Sequence, residues 1–245
     1  MSQLTAGEQL RKHLDTFLAS DVLGKSFPPY QPTFTFSAEY IDEFHMVLGA
    51  SAKEPGLVNP KHIFGILIKG SLRRADALKL YEIGYFVNGD ILELGSYHGL
   101  STCILSQSNH NSALEKRIYS LDLNAENCRK TMESLHAAKL GRCVESICSE
   151  AAAAVERFAT NGQRFQFVFI DHSHAYEPVC QVCRMLPAIV GSGGFCLFHD
   201  FNDRRNEDPD EPDYGVHRAV ADGLDPESFE FYGIYGCSGL YRARF

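Results

Sequence analysis

Basic charge is scarce in this chain. Its 245 residues hold 23 Lys and Arg against 31 Asp and Glu, a formal net charge of −8 at pH 7. The basic residues form no block, so the concentrated positive face that nucleic acid or an anionic membrane surface demands is missing. Long apolar runs are missing too, and no segment has the length needed to cross a bilayer. Met1–Ser20 mixes Glu8, Arg11, Lys12 and Asp15 with Leu10, Leu14, Phe17 and Leu18. That pattern is an amphipathic helix, whereas a signal peptide needs an uninterrupted apolar region. Internal repeats and low-complexity tracts are lacking as well. The expectation is a soluble, cytoplasmic protein with no nucleic-acid and no membrane partner; the amphipathic first helix leaves room for a homo-oligomer.

Cysteine is plentiful but unpaired. Cys103, Cys143, Cys148 and Cys196 fall in predicted strands or at inward-facing helix positions, where free Cys behaves as a small apolar residue. Cys180 and Cys183 form a C-x-x-C, yet they lie inside the helical run Glu177–Ile189 with no second pair to complete a zinc site. Core packing is the better reading than a redox dithiol.

What remains is an ordinary globular composition, 44% hydrophobic and 22% charged, sized for one large domain with an elaborated terminus. From residue 90 onward short apolar runs alternate with longer periodic ones. Strands are expected at Asp90–Leu94, Arg117–Asp122, Val144–Cys148, Phe165–Ile170 and Gly194–Phe198. Helices are expected between them at Leu100–Ser108, Glu126–Leu140, Glu150–Phe158 and Glu177–Ile189. Such alternation predicts an α/β fold with a parallel sheet covered on both faces. A helix opening at Tyr214–Val220 precedes two strands, Phe229–Tyr235 and Leu240–Phe245, joined by Gly236-Cys237-Ser238-Gly239. So short a link implies a hairpin, and hence a final antiparallel strand. Residues 1–70 read as a helical cap ahead of a core domain at 71–245, with helices also at Tyr40–Leu48 and Leu72–Phe86 and a Pro-rich passage at 28–32. The acidic segment Asn202–Asp213 reads equally well as a solvated loop or a lid.

The most informative stretch is Ile91-Leu92-Glu93-Leu94-Gly95-Ser96-Tyr97-His98-Gly99-Leu100-Ser101. An apolar strand reaches an acidic residue, then a glycine-bounded turn, then a helix: a nucleotide-type cofactor loop at the carboxyl end of a first parallel strand. A dinucleotide loop wants a glycine where Tyr97 stands, so no pyrophosphate needs to be cradled, and a nicotinamide-dependent dehydrogenase is the weakest option. Asp122 closes the second strand 23 residues beyond Gly99, close to the ~20 expected of an acid that accepts both ribose hydroxyls. The other distinctive passage is Asp171-His172-Ser173-His174-Ala175-Tyr176, directly after the apolar strand Phe167–Ile170. It is followed by Leu186-Pro187, by Gly193-Gly194 and by His199-Asp200 at the next strand end. Asp171 and His199-Asp200 therefore share the sheet edge where open α/β sheets bind ligands.

The E-x-G-x-x-x-G loop resembles motif I of class I S-adenosylmethionine-dependent methyltransferases. The ordered series from Asp171 through Tyr214-Gly215-Val216 and Ala219-Val220 is similar to the branch containing macrocin-type and rhamnosyl O-methyltransferases and cephalosporin-hydroxylase-like proteins, over about residues 70–245. That resemblance implies a Rossmann-like, doubly wound, mostly parallel seven-stranded sheet with a final antiparallel strand. It implies S-adenosylmethionine as cofactor, held by Glu93, Gly95, Ser96, Gly99, Ser101, Asp122, Ser149 and Asp171. It further implies His174 as general base, and Asp171 and Asp200 as ligands of Mg2+ or another divalent metal, although His199 stands where metal-dependent relatives carry an acidic residue. The expected reaction is O-methylation of a sugar, glycoside or other small-molecule acceptor. A metal-dependent hydrolase or lyase built on Asp171, His174, His199 and Asp200 remains open, as does a catalytically silent methyltransferase-like interaction subunit.

Overall fold

The structure, a computed structural model, describes residues 57–112 and 114–245. The expected helices at Met1–Ser20 and Tyr40–Leu48 and the Pro-rich passage lie outside the described residues. A short helix α1 (Pro60–Phe64) and α2 (Arg74–Phe86) precede the alternating core. The core runs β1 (Ile91–Leu94), α3 (Leu100–Ser112), β2 (Ile118–Asp122), α4 (Ala125–Ala138), β3 (Val144–Cys148), α5 (Ala151–Thr160), β4 (Phe165–Ile170), α6 (Tyr176–Ile189) and β5 (Val190–Phe198). It closes with α7 (Val216–Gly223), β6 (Phe229–Tyr235) and β7 (Ser238–Ala243). The seven strands form one sheet in the order β3-β2-β1-β4-β5-β7-β6. β1 to β5 pair in parallel, and β7 inserts antiparallel between β5 and β6.

The period of two along each strand divides the core into two clusters. Ile91, Phe167, Phe169, Leu197 and Leu240 pack with α2 and α3 on one face. Leu92, Leu94, Val168, Ile170, Cys196 and Phe198 pack with α5, α6 and α7 on the other. Strands buried on both faces carry mostly apolar residues, which is why Phe167–Ile170 of β4 reads as a continuous run. Each such side chain withdrawn from water contributes about 1.5–3 kcal/mol. Val58, Ile68 and Leu72, from the lead-in, join the α2–α3 cluster.

Two of the core helices are opened by side-chain caps. Asn124 Oδ1 accepts from Glu126 N to open α4, and both Glu150 carboxylate oxygens accept from Ala152 N and Ala153 N to open α5. Two elements exceed the sequence expectation by four residues. β5 begins at Val190, four residues early, because Gly191 and Gly194 let its backbone lie against Gln166 and Phe165 of β4 around a bulge. α3 continues to Ser112, its polar last turns satisfied by tertiary partners: Asn109 Nδ2 donates to Lys116 O at 2.6 Å. Among the cysteines, Cys103, Cys180, Cys183 and Cys196 are buried as expected. Cys148 is exposed at the end of the outermost strand and Cys143 sits half-buried in a single 3-10 turn, so neither is a core residue.

Candidate cofactor and acceptor site

A cleft of about 960 Å³ opens at the carboxyl ends of β1, β2, β4 and β5. Gly95, Ser96, Tyr97, Leu100, Ser101 and Asp122 line one end; Asp171, His172, His174, His199 and Asp200 line the other. Ile68–Arg73 on one wall and Asp203 and Arg205 on the opposite wall approach each other, Arg73 Nη2 lying 3.7 Å from Asp203 Oδ2.

The loop after β1 is held open by its own backbone. Gly95 N and Ser96 N both donate to Leu121 O, at 2.8 and 2.9 Å, and Gly99 N donates back to Ser96 O at 2.8 Å. Gly95 adopts φ +97°, and a Cβ there would overlap Asp171 O, so only glycine lets the loop pass over the end of β4. Tyr97 is itself left-handed at φ +47°. Strain of this kind costs about 1–3 kcal/mol and persists where surroundings hold it; here Tyr97 N donates to Asp122 Oδ2 at 2.8 Å. The Tyr97 ring stacks on His98, with centroids 4.1 Å apart, and stays 49% exposed over the cleft.

Asp122 is fixed from below. Its Oδ1 accepts from Asn124 N (2.9 Å) and Asn127 Nδ2 (3.0 Å), and with Tyr97 N this leaves lone pairs on the cleft side of the carboxylate. Glu93 differs from its expected place. It is fully buried behind the loop, where Oε2 accepts from Thr102 Oγ1 (2.5 Å) and Ser120 Oγ (2.6 Å), tying β1 to α3 and β2. Burial pushes the Glu93 carboxyl up, against the hydroxyls that pull it down. Gly99 and Ser149 also stand off the cleft lining, Gly99 packed on Thr131 and Ser149 turned to Glu150 O.

The other end is a cluster of alternating imidazole and carboxylate groups. His174 Nε2 lies 3.2 Å from Asp200 Oδ2 and 3.9 Å from Asp171 Oδ1. His199 Nδ1 lies 3.1 Å from Asp171 Oδ1 and 3.6 Å from Asp200 Oδ1. The Asp200 hydrogen bond raises the His174 pKa above its ordinary value. Burial alone would lower that of His199, but Asp171 and Cys237 outweigh it and raise it well above 6.5. Burial would raise the Asp200 carboxyl; the two histidines hold it well below the usual carboxylate range instead. His174 is 48% exposed, whereas Asp200 is buried, so the imidazole faces the cleft with the carboxylate behind it. Tyr214 stacks on His174 (centroids 5.2 Å apart) and carries the Arg205 guanidinium 4.5 Å above its ring. His172 bonds Pro178 O at 3.4 Å, burial lowers its pKa, and its buried Nδ1 has no hydrogen-bond partner among the described residues.

Two groups implied by the resemblance can be held against these residues. An adenosyl cofactor fits: the cleft has the volume, Asp122 presents acceptors, and His172 Nδ1 is a buried polar atom awaiting a partner. A hard divalent ion between Asp171 and Asp200 does not fit the arrangement seen. His199 Nδ1 lies between the two carboxylates, and His174 and Arg205 hold the remaining Asp200 oxygen, whereas Mg2+ requires a near-octahedral oxygen shell. Arg205, Tyr214, Asp203, Arg73, Asn127 and Cys237 join the site without having been picked out by the sequence as site residues. Tyr214 carried a signal in the Tyr214-Gly215-Val216 series, and Asp203 and Arg205 lie in the acidic segment read as a loop or lid. Half of the acidic segment is wall rather than lid: Phe201–Asp203 are buried and Arg205 lines the cleft, while Glu207–Asp213 are exposed.

This sheet order, with its antiparallel seventh strand and a glycine loop after β1, is the fold of class I S-adenosylmethionine-dependent methyltransferases. Residues 92–201 match the family model described as a methyltransferase domain, and that span holds both ends of the cleft, from Gly95 to Asp200. The chain thus carries a methyltransferase domain. Solved structures share the fold at low identity. An O-methyltransferase from Bacillus cereus in complex with SAH is 16% identical, covering 83% of this chain and 90% of its own, with a TM-score of 0.54. The O-methyltransferase TomG from Streptomyces achromogenes in complex with SAM is 15% identical over 84% and 99%, TM-score 0.59. A putative O-methyltransferase from Klebsiella pneumoniae is 17% identical over 84% and 99%, TM-score 0.59. No curated protein matches the chain. Among the described residues, no helix is long and apolar enough to cross a membrane.

Proposed function

We propose that this methyltransferase uses S-adenosylmethionine to methylate a hydroxyl of a small-molecule acceptor, a sugar or glycoside being the favoured class. The observation that carries the reading is one cleft with the Gly95–Gly99 loop and Asp122 at one end and the His174–Asp200 pair at the other. When bound, S-adenosylmethionine supplies a methyl group already activated on a positive sulfur. What the protein must add is a nucleophile, because a protonated hydroxyl attacks poorly.

His174 meets that need. With Nε2 hydrogen-bonded to an ionised carboxylate, its proton belongs on Nε2, and Nδ1 keeps the lone pair that accepts the acceptor's proton. The resulting imidazolium is stabilised by Asp200, and Tyr214 and Arg205 fix the plane of the ring. Asp122 positions the ribose, and the strand ends set the distance between donor and acceptor; such alignment contributes much of the acceleration. No step needs a metal between Asp171 and Asp200.

The test is methyl transfer from labelled S-adenosylmethionine to a panel of sugar, glycoside and phenolic hydroxyl acceptors. The wild type should label at least one sugar or glycoside, and His174→Ala should lower that rate roughly 10²–10⁴-fold. Transfer only to nitrogen or carbon acceptors, or unchanged turnover in His174→Ala, contradicts the proposal.

A further inference from the structure

On the far side of His199 from Asp171, two further groups, Asp76 and Cys237, meet its ring. We propose that Asp76, His199 and Cys237 form a binding site for a zinc-class transition metal at the floor of the cleft. These three offer ligand atoms that all lie within 4.8 Å of one another, and all three residues are buried. They come from α2, the end of β5 and the β6–β7 turn, with Asp76 and Cys237 separated by 161 positions in sequence.

The distances from the sulfur are those of an ion's coordination shell. For a tetrahedral centre with metal–sulfur bonds of ~2.3 Å and metal–nitrogen or metal–oxygen bonds of ~2.0 Å, the edge from sulfur to either atom is ~3.5 Å. Cys237 Sγ lies 3.5 Å from His199 Nε2, 3.5 Å from Asp76 Oδ2 and 3.4 Å from Asp200 Oδ1. A thiol has one hydrogen, so it can satisfy only one of these three neighbours as a donor. A cation at the centre satisfies the sulfur, nitrogen and oxygen together.

The surrounding groups are oriented for the task. His199 Nδ1 faces Asp171 Oδ1 at 3.1 Å, which fixes a proton on Nδ1 and leaves Nε2, facing Cys237, as the nitrogen that takes a metal in exchange for its proton. A carboxylate behind a ligating histidine is the usual support of a zinc ligand. Asp76 is braced likewise: Oδ1 accepts from Cys237 N (3.0 Å) and Ser238 Oγ (2.6 Å), leaving Oδ2 to the sulfur side. His199, Cys237 and Asp200 line the cleft while Asp76 stands behind them. The fourth position is therefore on the cleft side, beside Asp200. One sulfur, one nitrogen and one oxygen select Zn2+, Co2+ or Fe2+ and reject Mg2+ and Ca2+. The site is separate from an oxygen-ligated ion between Asp171 and Asp200, in which Cys237 and Asp76 take no part.

The test uses the full chain, stripped with chelator and titrated with Co2+. We expect one Co2+ per chain with a thiolate charge-transfer band in the near ultraviolet, bleached by equimolar Zn2+ and unmoved by millimolar Mg2+. Cys237→Ser should abolish the band, and Cys148→Ser, at the exposed cysteine, should keep it. Asp171→Asn should keep the band while weakening affinity by roughly 10–100-fold, the effect of losing an outer support. Should Cys237→Ser fail to fold, the wild-type spectrum and its Mg2+ competition decide alone. Co2+ bound without the band, no Co2+ bound, displacement by Mg2+, or a band that survives in Cys237→Ser would each overturn the site.

Discussion

His174 and Asp200 set how the enzyme should respond to pH. Asp200 raises the His174 pKa by stabilising the imidazolium, and the general-base role we propose for His174 requires the neutral ring. Turnover should therefore be lost as pH falls through that raised value, placing the acidic limb of the rate profile above 6.5. Asp200→Asn removes the main cause, so the limb should move to lower pH while maximal turnover also drops; a limb that stays put in the variant would show that another group is titrating. At the opposite end, Asp122→Ala should weaken S-adenosylhomocysteine binding at least tenfold, since hydrogen bonds to a charged group contribute about 1.5–3 kcal/mol. Calorimetric titration checks this, with circular dichroism confirming that the loop's loss of the Tyr97 N contact has not unfolded the chain.

The loop after β1 depends on a single close approach. In Gly95→Ala the new methyl meets Asp171 O and the backbone must leave φ +97°, so the strand end or the loop has to shift. The expected outcome is a loss of at least about 2 kcal/mol, read as a fall in Tm of roughly 4–8 °C, together with loss of cofactor affinity. Unchanged melting and binding would mean that the loop is not built on this contact. β1, β2 and β4 were legible within a residue because strands buried on both faces admit mostly apolar residues. The early start of β5 was hidden by Gly191-Ser192-Gly193-Gly194, which locally reads as a turn and pairs only because Gln166 packs over it. The last turn of α3 was hidden for the opposite reason: Gln107-Ser108-Asn109 looks like a solvated end, and its partner Lys116 lies across a connection.

At the scale of the molecule, the two ends of the cleft differed in how far sequence could reveal them. Asp122, Gly95 and the Asp171–His174 passage are local signals, each ending a strand whose neighbours are predictable, and the parallel order alone brings them to one edge. Glu93 was misplaced because an acid at a strand end looks the same whether it faces a ligand or, as here, the hydroxyls of Thr102 and Ser120. Arg73, Asp76, Arg205 and Cys237 reach the cleft or its floor from distant elements, and no spacing rule connects them. The central claim is that the cleft over Gly95–Gly99 receives an adenosyl cofactor beside His174. Its most direct measurement is isothermal titration of the purified chain with S-adenosylhomocysteine without added metal. One molecule bound per chain, with affinity lowered in Asp122→Ala and retained in His174→Ala, is the predicted result; no binding heat with the wild type at any temperature tested would contradict it.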